Sequence, residues 1–210
     1  MKTLLVAATP FEIRDVITHF SLTPDDFMEA DTFDILITGV GMTATAFSLG
    51  RFLDPSKYKL VLNLGIAGTF DPELALGTVV EVRTDTFAEL GAEDRETFIP
   101  IESLGFGQSS YTAITPAEPV CPPLPAAKGI TVNKVHGHQP SIDAVRARLA
   151  PDVESMEGAA VLYACNQLQV PCIQVRSISN QVEPRNRDNW AIALAIEKLN
   201  QWAIQFLTKY

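Results

Sequence analysis

Residues 153–188 read VESMEGAAVLYACNQLQVPCIQVRSISNQVEPRNRD, and the rest of the chain is interpreted outward from this run. Met156-Glu157-Gly158 opens a small-residue segment with helical spacing, Met156 to Leu168. Cys172 to Ile178 follows as a strand-length, mostly apolar run that carries Arg176 and ends in Ser179 and Asn180. A helix leading into a strand without clear polar alternation is the repeating unit of a parallel sheet covered on both faces. In such sheets ligands bind beyond the carboxyl ends of the strands, which is where Ser179 and Asn180 are delivered.

Five more runs rich in Leu, Ile and Val have the same texture: Thr3–Ala8, Asp34–Thr38, Leu60–Leu64, Thr78–Val82 and Ile130–Val135. Helical patterns fall at Pro10–Phe20, Thr43–Leu53, Ser141–Leu149 and Asn189–Lys209. In the last, Ile192, Ala195, Ile196, Leu199, Trp202, Ala203 and Phe206 share one stripe, and Asp188 is placed to cap it. The expectation is an α/β fold: a single domain with a mostly parallel central β-sheet flanked by helices on both faces. Gly39 and Gly41, then Gly65 and Gly68, punctuate strand ends, where glycine permits tight turns and close approach of the backbone to a ligand. Gly39-x-Gly41 is not a dinucleotide fingerprint, because Ala44 stands where the third glycine belongs. Residues 84–128 differ in texture, with Pro100, Pro116, Pro119, Pro122, Pro123 and Pro125 among Phe87, Phe98, Phe106 and Tyr111. That stretch reads as a long insertion with a functional or interface role.

At 210 residues, with 47% apolar and 20% charged side chains, the chain has the makings of one globular core. A net charge of −9 argues against nucleic acid as a partner, since phosphate neutralisation needs clustered Lys and Arg. Cys121, Cys165 and Cys172 form no C-x-x-C, which fits reduced thiols rather than a disulfide framework. His136-x-His138 lacks an acidic or thiol partner at metal-ligand spacing, so no metal and no cofactor are expected. No apolar run approaches the length of a membrane span, and the first run is too short for a secretory signal. A soluble cytoplasmic protein without a membrane partner is the expectation.

Three blocks carry a family resemblance: Leu5-Val6-Ala7-Ala8 with Glu12, then Asn63-Leu64-Gly65-Ile66-Ala67-Gly68, then Val153 to Ala160. With Ile173–Asn180 they make the chain similar to the purine nucleoside phosphorylase and nucleosidase superfamily. Within it, Asn180 to Trp190 most resembles the futalosine hydrolase family. The resemblance implies cleavage of an N-ribosidic bond, with a nucleoside and water as the small-molecule partners. It implies that Met156 packs on the ribose and that Glu157 accepts its hydroxyls. Glu12 is implied to orient or deprotonate the attacking water. Arg176 is implied to hold Glu12, although a buried arginine beside a carboxylate is equally a structural pair. Gly65, Ala67, Gly68 and Ser179 fall in the implied substrate wall. Relatives that act on adenosine-type nucleosides carry Ser at the position of Ile66, so the surroundings of the water differ here.

Asn180 is the most informative departure. Relatives acting on 6-aminopurines have Asp there, whereas an amide offers a donor to O6 and an acceptor to a protonated N7 of a 6-oxopurine. Hypoxanthine or guanine is therefore the expected leaving base, and the resemblance implies futalosine as substrate, with hypoxanthine released, in the route to menaquinone. Arg185 and Arg187 have the chemistry to clamp a carboxylate on the 5′ arm, or to pair with Glu183 or Asp188 at the surface. Pro140 is not aromatic, so Phe87 or Phe106 is expected to stack on the base. Three other readings stay open: a phosphorylase, a methylthioadenosine/S-adenosylhomocysteine-type nucleosidase, and a nucleoside-binding protein without catalysis. The first lacks an arginine in the early glycine turns, the second conflicts with Asn180, and the third leaves Glu12 and Glu157 without a role. The resemblance also implies a homodimer or larger homo-oligomer.

Overall fold

A computed structural model of the chain describes residues 1–117 and 122–209; Pro119 and Cys121 lie outside the described residues. In order, the elements are β1 (Lys2–Ala7), α1 (Arg14–His19), β2 (Phe27–Glu29), β3 (Phe33–Ile37) and α2 (Met42–Phe52). Then come β4 (Tyr58–Thr69), β5 (Val79–Phe87), β6 (Gly91–Asp94), β7 (Thr97–Pro100), β8 (Ser110–Thr112) and β9 (Ala126–Thr131). The chain continues through α3 (Gln139–Leu149), β10 (Val153–Ser155), α4 (Gly158–Leu168), β11 (Cys172–Gln181), a 3-10 turn (Arg187–Asn189) and α5 (Ile192–Lys209).

The heart of the sheet is parallel, β3 against β1, β1 against β4, and β4 against β11. Its two faces follow from strand alternation. Leu5 and Ala7 of β1 point to the side covered by α1 and α5, packing with Ile17, Leu199 and Phe206. Leu4 and Val6 point to the side covered by α2 and α4, with Leu49, Val161 and Leu162. Each fully buried Leu or Val contributes roughly 1.5–3 kcal/mol, so one pair of strand residues fixes helices on both faces. The α/β architecture with a helix-covered sheet is thus as expected, and the sheet is mixed toward its far side. β5 runs antiparallel to β11 and parallel to β9, and β10 joins β9 to the distal end of β4. The cause is the length of β4: twelve residues, whose first part pairs with β1 and whose Gly68 and Thr69 reach β10.

Several boundaries differ from expectation. The strand expected at Ile130–Val135 is Ala126–Thr131, and 132–138 is a loop that runs beside the site. Helix α1 begins only at Arg14, because Pro10 to Ile13 is taken up by a turn. Helix α4 begins at Gly158, leaving Met156 and Glu157 ahead of it. Asp188 does not cap the last helix; it sits in the 3-10 turn, and extended Trp190 delays α5 to Ile192. Within 84–128, the ends belong to β5 and β9, β6 and β7 form a hairpin, and β8 pairs with β5. No helix among the described residues is long and apolar enough to cross a membrane.

Candidate active site

The carboxyl ends of β1, β4 and β11, with the segments after β9 and β10, enclose a cavity of about 330 Å³. Glu12 enters it from the Thr9–Glu12 turn. Its Oε2 accepts from the Thr9 amide at 3.1 Å and the Thr9 hydroxyl at 3.2 Å, and its Oε1 from the Ile66 amide at 3.2 Å. Burial raises its pKa above the ordinary 4.5 and the facing charge of Glu157 adds to this, against the Ile66 amide, Arg176 and Thr9. The Ile66 side chain therefore brings no hydroxyl, but its backbone holds the carboxylate.

Glu157 stands at the N-cap of α4, and its Oε1 accepts from the Gly41 amide at 2.9 Å. Gly41 has φ of +95°, a conformation glycine adopts without strain, so the turn after β3 presents its N–H to the site. The start of α4 is held from beneath. The Ala159 amide donates to Thr131 Oγ1 at 2.7 Å, and that hydroxyl donates to Asp85 Oδ1 at 2.8 Å. Asp85 Oδ2 accepts from Gln174 on β11 at 2.7 Å, and burial pushes the Asp85 carboxyl up to about 6. Gly158 is obligatory here, since a Cβ would run into both Asp85 and Gln174.

Arg176 is 1% exposed and lies behind the wall rather than on it. Its Nη1 donates to the Val175 carbonyl at 3.1 Å, and its Nε has no partner. A Cβ on Gly65 would sit 3.2 Å from both Arg176 Nη1 and Glu12 Oε1, so the missing side chain of Gly65 is the space in which these groups converge.

The opposite end of the cavity is built across the sheet. Gly68 of β4 faces Glu154 of β10 on one side and Asn180 of β11 on the other, so the three share a row. The register of β11 shifts between Ile178 and Asn180, an irregularity of the kind that re-aims side chains at sites. Asn180 Oδ1 accepts from the Ser179 hydroxyl at 2.8 Å and Nδ2 donates to the Gln181 carbonyl at 2.9 Å. One lone pair and one N–H of the amide remain for a ligand. Glu154 is 4% exposed and holds His136 twice, accepting from its amide at 2.9 Å and bonding its Nδ1 at 2.7 Å.

Met156, Ala67, Gly68 and Ser179 line the cavity with Glu12, Glu157 and Asn180, while Gly65 and Arg176 support it from outside the wall. Phe87 is elsewhere, beside a separate cavity of about 420 Å³ with Met42, Tyr111 and Tyr163. Phe106 is 79% exposed. Arg185 and Arg187 are exposed, with guanidinium groups 5.3 and 5.8 Å from the Trp190 ring centre. The aromatic rings on the cavity wall are those of Phe11, His136 and Trp190. Sequence reasoning missed Trp190, Ser155 and the Glu154–His136 pair. Ser155 Oγ is buried on the wall without a partner. The polar loop before α5 was a signal for Trp190, but a pair 18 residues apart across β9 and β10 has no spacing rule.

This is a site with two carboxylates around one end and amide, hydroxyl and imidazole groups at the other, with no Lys or Arg on its wall among the described residues. Residues 35–208 match the Phosphorylase superfamily. The chain is 34% identical over 180 residues to futalosine hydrolase of Streptomyces coelicolor, covering 80% of this chain and 76% of that protein. It is 36% identical over 177 residues to futalosine hydrolase of Acidothermus cellulolyticus, covering 80% and 72%. The native structure of futalosine hydrolase of Helicobacter pylori superposes with a TM-score of 0.82 at 13% identity, over 100% of this chain and 98% of that one. With its sheet, glycine turns and paired glutamates in place, the chain belongs to the phosphorylase superfamily.

Proposed function

We propose that the protein is a hydrolytic nucleosidase that cleaves the N-ribosidic bond of futalosine, releasing hypoxanthine and dehypoxanthine futalosine. The observation that carries the reaction type is the approach of Glu12 and Glu157 in one cavity whose wall has no Lys or Arg among the described residues. Such a wall repels a phosphate dianion and favours the positive charge that develops at the anomeric carbon. The substrate is supported by the two relatives of that name above 30% identity and by the amide at position 180.

In this reading Glu157, fixed by the Gly41 amide, accepts the ribose hydroxyls, and Met156 packs on the sugar. Glu12 takes a proton from water as its oxygen bonds to the anomeric carbon. A carboxylate raised above 4.5 by burial and by Glu157 is a better base than an exposed one. Arg176 holds charge behind Glu12 through the gap at Gly65. Asn180 receives the 6-oxopurine, with Trp190 against its ring and Arg185 and Arg187 near the cavity mouth. Phe87 belongs to the apolar surface formed by α2, α4 and β8, which suits contact with a second copy in a homo-oligomer. A cytoplasmic location and a place in menaquinone formation complete the proposal.

The test is incubation with futalosine, inosine and methylthioadenosine, each with and without phosphate, followed by chromatography of the free base. Hypoxanthine released from futalosine without phosphate is the expected result. Adenine from methylthioadenosine alone would refute it.

A further inference from the structure

The leaving purine needs a proton, and Asn180 has none to transfer. An amide donates a hydrogen bond but does not ionise in the neutral range, and the hydroxyls of Ser155 and Ser179 are no more acidic. Glu154, buried at the same end, already gives one oxygen to the His136 amide and the other to the His136 ring. What remains at that end is the imidazole itself, whose ring can carry a proton on Nε2 while Glu154 holds Nδ1. We propose that His136, held by Glu154, is the proton donor to the departing base.

The geometry supports this in three ways. Glu154 bonds both the backbone and Nδ1 of one residue, so the ring has a fixed tautomer and orientation and Nε2 is its free end. Glu154, Gly68 and Asn180 lie in one row across β10, β4 and β11, which puts the imidazole at the Asn180 end of the cavity. Nε2 has no hydrogen-bond partner among the described residues and is not among the sealed polar atoms, and His136 lies on the cavity wall. The charged or titratable groups around the ring are Glu154 beneath it and Arg146, whose guanidinium covers the Phe70 ring that His136 meets edge-on. Arg185 follows, bonded through its amide to Gly137; His138 is two residues along, and Glu12 and Glu157 lie across the cavity.

The step balances without an added reagent. Water oxygen bonds to the anomeric carbon and loses a proton to Glu12. The carbon–nitrogen bond breaks with its electron pair going to the purine, and the Nε2 proton of the imidazolium moves to a purine ring nitrogen. Glu12 then returns its proton to solvent and His136 takes one back, so one water is consumed in all. Glu154 is a positioning residue that keeps the ring aimed.

This assignment rests on the futalosine reading, and the experiment separates the two. Hypoxanthine release from futalosine is measured from about pH 6 to about pH 9 for the wild type and His136→Gln. Hypoxanthine binding is followed by calorimetry as a check on the cavity. Wild-type kcat should fall on the alkaline side. His136→Gln should bind hypoxanthine, lose on the order of 100-fold in kcat with KM nearly unchanged, and lack the alkaline limb. His136→Gly should regain activity with added imidazole. A wild-type kcat flat across that range overturns the assignment without any variant, and so does a His136→Gln enzyme that keeps the wild-type limb. A wild type that releases no hypoxanthine from futalosine overturns the functional reading first, and this assignment with it.

Discussion

The two ends of the parallel strands treat a buried carboxylate in opposite ways. At the amino ends, Asp34 of β3 is fully buried and meets Lys2 at 2.8 Å, Lys57 at 2.9 Å and the Tyr58 hydroxyl at 2.7 Å. Burial alone would raise its pKa, but the bonds from Lys2, Lys57 and Tyr58 outweigh it and hold the carboxyl below its ordinary range. At the carboxyl ends, Glu12 receives two backbone amides and a hydroxyl but faces Glu157, and its pKa rises. One end satisfies its charge with two lysines and a hydroxyl; at the other, burial and the like charge of Glu157 outweigh the Ile66 amide, Arg176 and Thr9. A carboxyl raised by burial and a like charge on a cavity wall is the pattern of a functional group, whereas Asp85, raised by burial but bonded to Thr131 and Gln174, supports the start of α4.

That contrast can be broken from the functional end first. Glu12→Gln should lower futalosine turnover about 1,000-fold, measured as kcat, because the base is gone while the amide keeps the shape. Its thermal stability at pH 7 should not fall. A carboxyl raised above 4.5 in the folded state makes stability decline as pH rises through the folded value, and the substitution removes that decline. Asn180→Asp comes next. It should cut kcat/KM for futalosine about 100-fold and shift preference toward 6-aminopurine nucleosides, read in a competition assay with methylthioadenosine. Gly65→Ala should cost roughly tenfold in kcat, since its Cβ would stand 3.2 Å from both Glu12 Oε1 and Arg176 Nη1 and force them apart.

At the structural end the same kind of change should move stability and leave chemistry alone. Asp34→Asn should lose about 1–3 kcal/mol at pH 7 in urea unfolding, with kcat within twofold of wild type. Its sign with pH is opposite to that of Glu12. Asp34 contributes stability that is present above its unfolded value of 3.8 and is lost as pH falls through the lower folded value. An Asp34→Asn protein that melts normally but turns over slowly would erase the distinction between the two ends.

The sequence displayed the strands well because they are apolar on both faces, and Thr3–Ala8 and Cys172–Ile178 need no partner to be read as buried. The carboxylates Glu12 and Glu157 were singled out by the family resemblance, since both lie in the blocks that carry it. Contacts across strands were hidden. Nothing in the spacing of His136 and Glu154 says that parallel β9 and β10 bring their following and included residues together. Phe87 was misplaced for the same reason: a phenylalanine after a strand is visible, but the face it takes depends on the pairing of β5 with β8. The helix starts were legible only to within a few residues. Met156 and Glu157 look helical by spacing, yet the close approach of Gly158 to Asp85 and Gln174 fixes where α4 begins.

The most direct test of the central claim is the initial rate of hypoxanthine release from futalosine in phosphate-free buffer, compared with the same buffer containing phosphate. A rate that is the same in both, and that collapses in Glu12→Gln, is the predicted result. A rate that appears only when phosphate is present would contradict the account, because the carboxylate-lined cavity would then be receiving an anion.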